Sequence, residues 1–577
     1  MEESDNFTLS FHDLCYHSSK NGEQILTNVS GSFTSGRLTC ILGPSGAGKS
    51  SLLNVLSGHR KVGVTGQLRL NGVPVTSKQQ RKLISYTPQE ACLWMNLTVE
   101  ESMAFAADFK LSPKISKPEK QQICRELLEV IGLEKCCQTL VKNLSGGELK
   151  RLSIGVELVS DPKVLLLDEP TSGLDTVSSY QVLSYVQRLT TQQNRAIICV
   201  IHQPGSKLLQ LFQDMFILTR GRELYCGPLD QMIETFKTAQ LECPLSHNPA
   251  DFALEVASLD FEDERLQMLM ELQNNNNKSY FVEAIETSRG AIIEEQQSFM
   301  LSSWQQLGVL LRRSFRCALR DSYNLKARTL VCIATALLVG VTFYDVGSSA
   351  AKLLSNTSII VVIMFLIYFV TLFAAILTYP LESAAFIREH KNNWYALTPY
   401  YISKLLVEMP SLIFSTSAAI FIIYYLTSQP LDWYRVLAIW ATAILSGWIT
   451  LVLGLALGAL FPVNEAILHA ILVIILTTLF SGFFIVLDQM AWYMKPLSYL
   501  SFVRYSFESA VHIFYGFGRQ SVPCPETFCY FTLKKFLKLV AMPELAWGYD
   551  ILGLVVWGLA MQILLYVSLL KRIKQDV

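Results

Sequence analysis

Gly43, Pro44, Ser45, Gly46, Ala47, Gly48, Lys49 and Ser50 follow one another between a strand-like run, LTCIL, and a helix-like run, SLLNVLSG. Glycines at these positions let successive backbone N–H groups curl around an anion, Lys49 adds a point charge for the β- and γ-phosphate oxygens, and the Ser50 hydroxyl can ligate Mg2+. A chance glycine turn has no reason to carry both flanks. Downstream, Val164-Leu-Leu-Leu-Asp168-Glu169 reads as a buried strand ending in two carboxylates. Such a strand can bring Asp168 to the metal and Glu169 to the attacking water as a general base. An apolar strand capped by acids is ordinary when it stands alone; beside a phosphate loop it is not. His202 closes AIICVIH on a neighbouring strand and can reach the γ-phosphate, although an isolated His there is more often a core residue. The chemistry these residues point to is hydrolysis at a phosphate chain with Mg2+.

Between these runs lies Asn143-Leu-Ser145-Gly146-Gly147-Glu148, ahead of the helix-like ELKRLSIGVEL. This segment resembles the signature of ATP-binding-cassette proteins. The other marks stand in matching order: Gln89 in SYTPQE, the Ser172-Gly-Leu-Asp175 loop, and His202. The resemblance implies that ATP is sandwiched between the phosphate loop of one cassette and the signature loop of another, so one cassette per chain calls for two chains. It also implies roles for Gln89 at Mg2+ and in the catalytic set with Glu169 and His202, for Ser51 beside Ser50, and for Asp175 at the nucleotide. Independently, Ser145 and its glycines at a helix N-terminus form a second anion site, where the plain alternative is a flexible turn. Tyr16 is a candidate for stacking on adenine and equally a candidate for core packing.

The elements that must hold these residues differ between the two halves of the chain. The 577 residues are 51% hydrophobic, and 48 basic side chains balance 48 acidic ones. That is too long and too apolar for a single ordinary soluble domain, and it provides no basic field for nucleic acid. Residues 1–260 alternate β-branched runs with amphipathic segments, which predicts an α/β nucleotide-binding domain. The start, MEESDNFTLSFHDL, lacks the pattern of a secretory signal, so this domain is expected in the cytosol. Residues 261–297 read as a polar linker, and 298–322 as an amphipathic connecting helix at the membrane surface, with a solvated helix packed on the cassette as the alternative. From 323 to 577 we read an all-α domain of six spans: Thr329–Tyr344 with an earlier start near Leu325, Ser358–Tyr379, Leu405–Thr427, Val436–Phe461, Ala466–Leu487 and Ile551–Leu570. Both termini then lie on the cytosolic side with the basic loop Arg388–His390–Lys391. Residues 488–550 fall outside, and Trp492–Phe517 within them reads as a re-entrant or interfacial helix. Glu408 and Glu465 read as helix-terminal charges.

The order of cassette before membrane domain resembles the G, or White-like, subfamily. Phe386-Ile-Arg-Glu-His-Lys-Asn-Asn-Trp-Tyr, followed by Tyr400-Tyr-Ile-Ser-Lys404, is similar to the loop between its second and third spans, while Thr427-Ser-Gln-Pro430, Phe480-Ser-Gly-Phe-Phe484 and Val503-Arg-Tyr-Ser-Phe507-Glu508 look most like its sterol- and phospholipid-exporting branch. The resemblance implies a ligand cavity on the dimer axis, walled by Phe369, Phe373, Ile475, Thr478 and Leu479 and plugged by Phe483 and Phe484. Aromatic residues in spans also simply pack against neighbours or lipid. A charge-free cavity favours a hydrophobic or amphipathic ligand. The expected partner is a second half, most simply another copy of this chain, in a plasma or endosomal membrane. The alternatives are a pigment-precursor or xenobiotic transporter working with a different half, and a non-transporting ATPase or nucleotide-gated channel. Of thirteen cysteines, Cys524 and Cys529 stand in the outer segment, where a short intrachain disulfide is expected.

Overall fold

The β-branched runs of the first half become strands. In the computed structural model the described residues are 7–18, 22–244, 247–259, 263–273, 299–517, 519 and 547–575. They divide into two units: Met1–Arg313 with Ala385–Pro399 and Val577, and Ser314–Ala384 with Tyr400–Asp576. Cys524, Cys529 and most of the 261–297 linker lie outside the described residues.

The strands of the first unit are β1 (Thr8–His17), β2 (Gln24–Thr34), β3 (Leu38–Leu42), β4 (Val64–Leu70), β5 (Val73–Pro74), β6 (Ile84–Thr87), β7 (Val164–Asp168), β8 (Ala196–Val200), β9 (Asp214–Thr219) and β10 (Arg222–Pro228). One sheet has the order β10-β9-β3-β8-β7-β6, the other β2-β1-β4-β5. Strands β6, β7, β8, β3 and β9 pair in parallel, and β10 closes the edge antiparallel. Parallel strands covered on both faces should be continuously apolar. Accordingly β3, β7 and β8 are buried along their whole length. Phe11 of β1, Phe33 of β2 and Phe216 of β9 meet with ring centroids 5.4 to 5.9 Å apart and join the two sheets through one core.

Helices of this unit are α1 (Lys49–Leu56), α2 (Ser77–Leu83), α3 (Val99–Lys110), α4 (Lys117–Val130), α5 (Gly146–Leu158), α6 (Thr176–Gln193), α7 (Ser206–Leu209), α8 (Leu229–Thr238) and α9 (Pro249–Ala257). Most begin where the sequence offers a side-chain acceptor: Thr98, Ser116, Ser145, Asp175 and Asn248 each take a first-turn N–H. The residues 385–399 that belong to this unit form a buried knot. Glu389 accepts from Trp94 Nε1 at 3.0 Å, Arg313 Nη1 at 3.0 Å and the Tyr395 hydroxyl at 2.6 Å.

After α10 (Ser303–Arg320), the second unit is built from α11 (Ser322–Thr342), α12 (Leu353–Lys391), α13 (Leu397–Leu426), α14 (Trp433–Leu460), α15 (Val463–Leu479), α16 (Lys495–Ser498), α17 (Phe502–Tyr515) and α18 (Trp547–Gln575). Among the described residues four helices are long and apolar enough to cross a membrane, lying in α12, α13, α14 and α18, and α15 is a shorter apolar helix of 17 residues. The helix boundaries differ from the sequence reading at several points. The helix over the first expected span runs from Ser322 to Thr342 and is not among the four long apolar helices. The second span ends at Pro380, one residue past the expected Tyr379, but the helix α12 continues beyond it to Lys391, so Arg388 and Glu389, expected in a loop, are helical and buried. The fifth ends at Leu479, before the expected Leu487, where Gly482 turns the chain with a φ of 87° that a helix cannot hold.

α17, at 14 residues, is too short to span and is buried along nearly its whole length. Hydroxyl pairs tie it to α14: Thr442 to Ser509 at 2.9 Å and Ser446 to Ser506 at 2.7 Å. A third pair, Thr371 to Thr450 at 2.7 Å, ties α12 to α14. Thr442, Ser446 and Thr371 also stand 2.7 to 2.9 Å from a carbonyl one turn back on their own helices. Glu408, expected as a helix-terminal charge, shares the Lys404 ammonium with Glu382, at 3.0 and 2.7 Å.

Candidate functional site

The loop from Gly43 to Gly48 leaves the buried end of β3 and enters α1, where strand-to-helix geometry aims backbone N–H groups at one point. Gly43 has no room for a side chain: a Cβ there would stand 2.2 Å from the Leu218 carbonyl oxygen. Gly48, capping α1 with φ at 98°, needs the left-handed freedom of glycine. Lys49 lies under the loop, its ammonium donating to the carbonyls of Gly43 at 2.7 Å and Pro44 at 2.9 Å. Burial lowers its pKa from the usual lysine range, and the carboxylates of Glu169 and Asp168 pull it back up. The loop is thus cradled on its own cation.

β7 delivers the acids. Asp168 Oδ1 accepts from the Ser50 hydroxyl at 3.2 Å, and Oδ2 accepts from the Tyr86 hydroxyl at 3.0 Å. Burial raises the Asp168 pKa above the usual carboxylate range, while those two hydrogen bonds oppose it. Ser50 and Asp168 are oxygen donors suited to a hard cation completed by phosphate oxygens. Among the described residues no cluster of three His, Cys, Asp or Glu forms a metal cage of its own. Glu169 sits just past the strand with φ at 48° and is held on both carboxylate oxygens. His202 Nε2 is 3.0 Å from Oε1, and Gln89 Nε2 donates to Oε2 at 2.7 Å. Gln89 also donates to Ser172 Oγ at 3.2 Å.

The remaining predicted residues form helix starts. Ser145 caps α5 and shares a reciprocal box with Glu148: Glu148 Oε2 accepts from the Ser145 backbone at 2.9 Å and from its hydroxyl at 2.8 Å. Those bonds from Ser145 hold the Glu148 carboxyl below the usual range. Gly146 and Gly147 form the first turn, and Asp175 caps α6, accepting from Val177 N at 3.1 Å and Ser178 N at 3.2 Å. Ser45 and Gly46 lie along the loop, Ala47 is buried, and Ser51 opens α1. The structure therefore joins Ser50 to Asp168, and Gln89 and His202 to Glu169, at adjacent positions at the end of β7, keeps Lys49 beside Ser50 under the loop, and leaves Ser145 and Glu148 closed on each other. Tyr16 faces the core: its ring is buried and its hydroxyl accepts from Arg60 at 2.5 Å, so stacking on adenine is not open to it. Sequence reasoning missed Tyr86, which has no spacing signal, and Lys150, whose ammonium donates to the Gln89 backbone carbonyl.

In the second unit, Phe369 stacks between Phe365 and Phe373 with centroids 5.8 and 5.6 Å away. Phe369, Ile475 and Leu479 are exposed in the single chain, whereas Thr478 turns inward and donates to the Ile474 carbonyl at 2.7 Å. Thr478 departs from its expected place on the wall because it continues the buried stripe Ala466, Ala470, Ile474 at four-residue spacing on the inner side of α15. Phe483 packs against Phe484 and Phe507, at 5.0 and 5.8 Å, beyond the end of α15, and Phe484 stays exposed.

Comparison with known proteins agrees with both units. Residues 26–172 match the ABC transporter family model and residues 305–515 the ABC-2 type transporter model. ABC transporter G family member 22 of Dictyostelium discoideum is 30% identical over 554 residues, 91% of this chain and 88% of that protein. ABC transporter G family member 26 of Arabidopsis thaliana is 29% identical over 86% of this chain and 76% of its own length. The ABC transporter ATP-binding protein/permease wht-1 of Caenorhabditis elegans is 28% identical over 84% and 77%.

Proposed function

The chain belongs to the ABC transporter G family, and from that premise we propose that two copies join into an ATP-hydrolysing exporter of hydrophobic or amphipathic molecules, sterols and other lipids first among them. As a member it is an ATP-driven transporter half and a multi-pass membrane protein. The observation that carries the ATPase assignment is Glu169 held between Gln89 and His202, beside Lys49, Ser50 and Asp168. Bound ATP with Mg2+ supplies the phosphoanhydride and neutralises its charge. For their part, the loop N–H groups and Lys49 bind and orient the phosphates, and Ser50, Asp168 and Gln89 present oxygens to the cation. Glu169 accepts a proton from water, and His202 steadies that carboxylate. Ser145, Gly146 and Gly147 of the second chain close the sandwich at their helix N-terminus.

The lipid assignment draws support from a face without charge. Between Leu353 and Pro380 of α12, and between Ala470 and Leu479 of α15, no charged residue occurs. Phe369, Leu472, Ile475, Leu476 and Leu479 are exposed there in the single chain. A second copy and a hydrophobic ligand would cover this surface; a charged cargo would find no partner on it. Both termini are placed in the cytosol, with the pump in the plasma or endosomal membrane. Vanadate-sensitive ATPase of the purified protein, alone in nanodiscs, tests the reading against a panel of sterols, phospholipids and tryptophan-derived pigments. Stimulation by sterol or phospholipid is expected. Stimulation by pigments alone, or activity only after co-expression with another half, transfers the protein to the pigment or xenobiotic class.

A further inference from the structure

α5 begins at the Ser145 loop and carries Lys150 on its second turn. A lysine at the surface of a helix ordinarily leaves its ammonium in water, where it keeps both hydration and rotamer freedom. Lys150 instead donates to the backbone carbonyl of Gln89. Gln89 is the residue whose amide holds Glu169 Oε2 at 2.7 Å and Ser172 Oγ at 3.2 Å. Burial lowers the Lys150 pKa from the usual lysine range, and Glu169, Asp168 and Glu90 act against that, so the charge stands within the field of the acids of the ATP site. One side chain therefore spans from the signature helix to the residue that occupies the general base.

We propose that Lys150 is a positioning residue that couples the two ATP sites of the dimer, fixing the signature helix of one site to the Gln89 loop of the other. This rests on the two-chain sandwich proposed above. In that sandwich Ser145 to Glu148 of a chain close on the nucleotide held by the second copy, whereas Gln89 and Glu169 of the same chain serve its own nucleotide. Closure of α5 on one nucleotide then draws on the Gln89 carbonyl through Lys150 and moves the amide that sits on Glu169. Lys150 itself touches no reacting atom and acts only through Gln89.

The test uses the full-length protein in lipid nanodiscs, as wild type and as Lys150→Met, Lys150→Arg, Gln89→Ala, Glu169→Gln and the Lys150→Met/Gln89→Ala double variant. Lys150→Met is expected to lower kcat about fivefold or more and to bring the Hill coefficient for ATP down to one, which is the scale of an ordinary coupling energy. KM, and ATP affinity measured in the Glu169→Gln background, should stay near wild type, and Lys150→Arg should restore both kcat and cooperativity. In the Gln89→Ala background Lys150→Met should add nothing, since residues acting through one contact are not additive. Wild-type kinetics in Lys150→Met, or an undiminished further loss in the double variant, overturn the proposal. Equal losses in Lys150→Met and Lys150→Arg with lowered melting temperatures assign Lys150 to helix stability and overturn it too. An active Glu169→Gln variant refutes the catalytic reading separately, and a wild type that hydrolyses no ATP refutes both.

Discussion

Glu169→Gln keeps the shape of the side chain and its place between Gln89 and His202 but loses the basic oxygen. Turnover is expected to fall by about 10²- to 10⁴-fold with ATP affinity preserved, whereas Lys49→Met should weaken ATP binding itself. Equilibrium binding of a fluorescent ATP analogue beside single-turnover hydrolysis separates the two variants, and the reverse pattern would refute both assignments. Asp168 gives a pH prediction. Burial raises its pKa, the Ser50 and Tyr86 hydroxyls oppose that, and the metal needs the ionised form. In the metal-free enzyme, whose ionisations kcat/KM reports, the acidic limb should therefore lie at a higher pH than an ordinary aspartate would give. Tyr86→Phe removes a donor to the carboxylate, so the acidic limb of kcat/KM should move to still higher pH; a limb that stays put or moves down would exclude Tyr86 from the site. Most of this site was legible because a phosphate loop is local and rigid in its spacing, and Gly43 to Ser50 stand together in the chain. Tyr86 and Lys150 were not legible, because each reaches its partner across the fold from a position that any strand or helix residue could occupy. The burial of Tyr16 was readable in principle: Leu14 and Tyr16 share one face of β1, and His17 takes the other.

At the scale of elements, α14 approaches α12 through Gly454, where a Cβ would stand 2.6 Å from the Leu372 carbonyl oxygen and 2.9 Å from Ala375 Cβ. Gly454→Ala is expected to cost about 1–3 kcal/mol through overpacking against backbone that cannot give way. Gly458, whose Cβ would find nothing nearer than 3.6 Å, is the control and should accept alanine. Thermal melts of the two variants in the same detergent check this, and equal melting temperatures would refute the close approach. Element boundaries were the least legible feature. Pro380 closes the apolar stretch of the second span as the sequence suggests, yet the helix α12 continues through it to Lys391, as membrane helices allow when neighbours satisfy the freed carbonyl. The end of α15 was hidden because Phe480 to Leu487 stays apolar; only the Ser481-Gly482 pair marks the break.

At the scale of the whole molecule, a sandwich that needs a phosphate loop from one chain and Ser145 from another predicts that ATPase activity elutes with the dimer and is absent from a strictly monomeric fraction. Activity in monomers at a similar rate per chain would exclude the two-chain site. The order of a cassette followed by membrane helices was legible from composition alone, since the two halves need different solvents. The cargo was not, because exposed apolar residues such as Phe369, Ile475 and Leu479, proposed as a cavity wall, would select against charge without selecting a molecule. The hydroxyl pairs among α12, α14 and α17 bear on how such a machine moves. Thr442, Ser446 and Thr371 each have a carbonyl on their own helix within donating reach and also meet a hydroxyl across the seam. Helices joined this way can shift while those three hydroxyls keep an acceptor on their own helix, so at these positions the seam is a lubricated joint and not a weld.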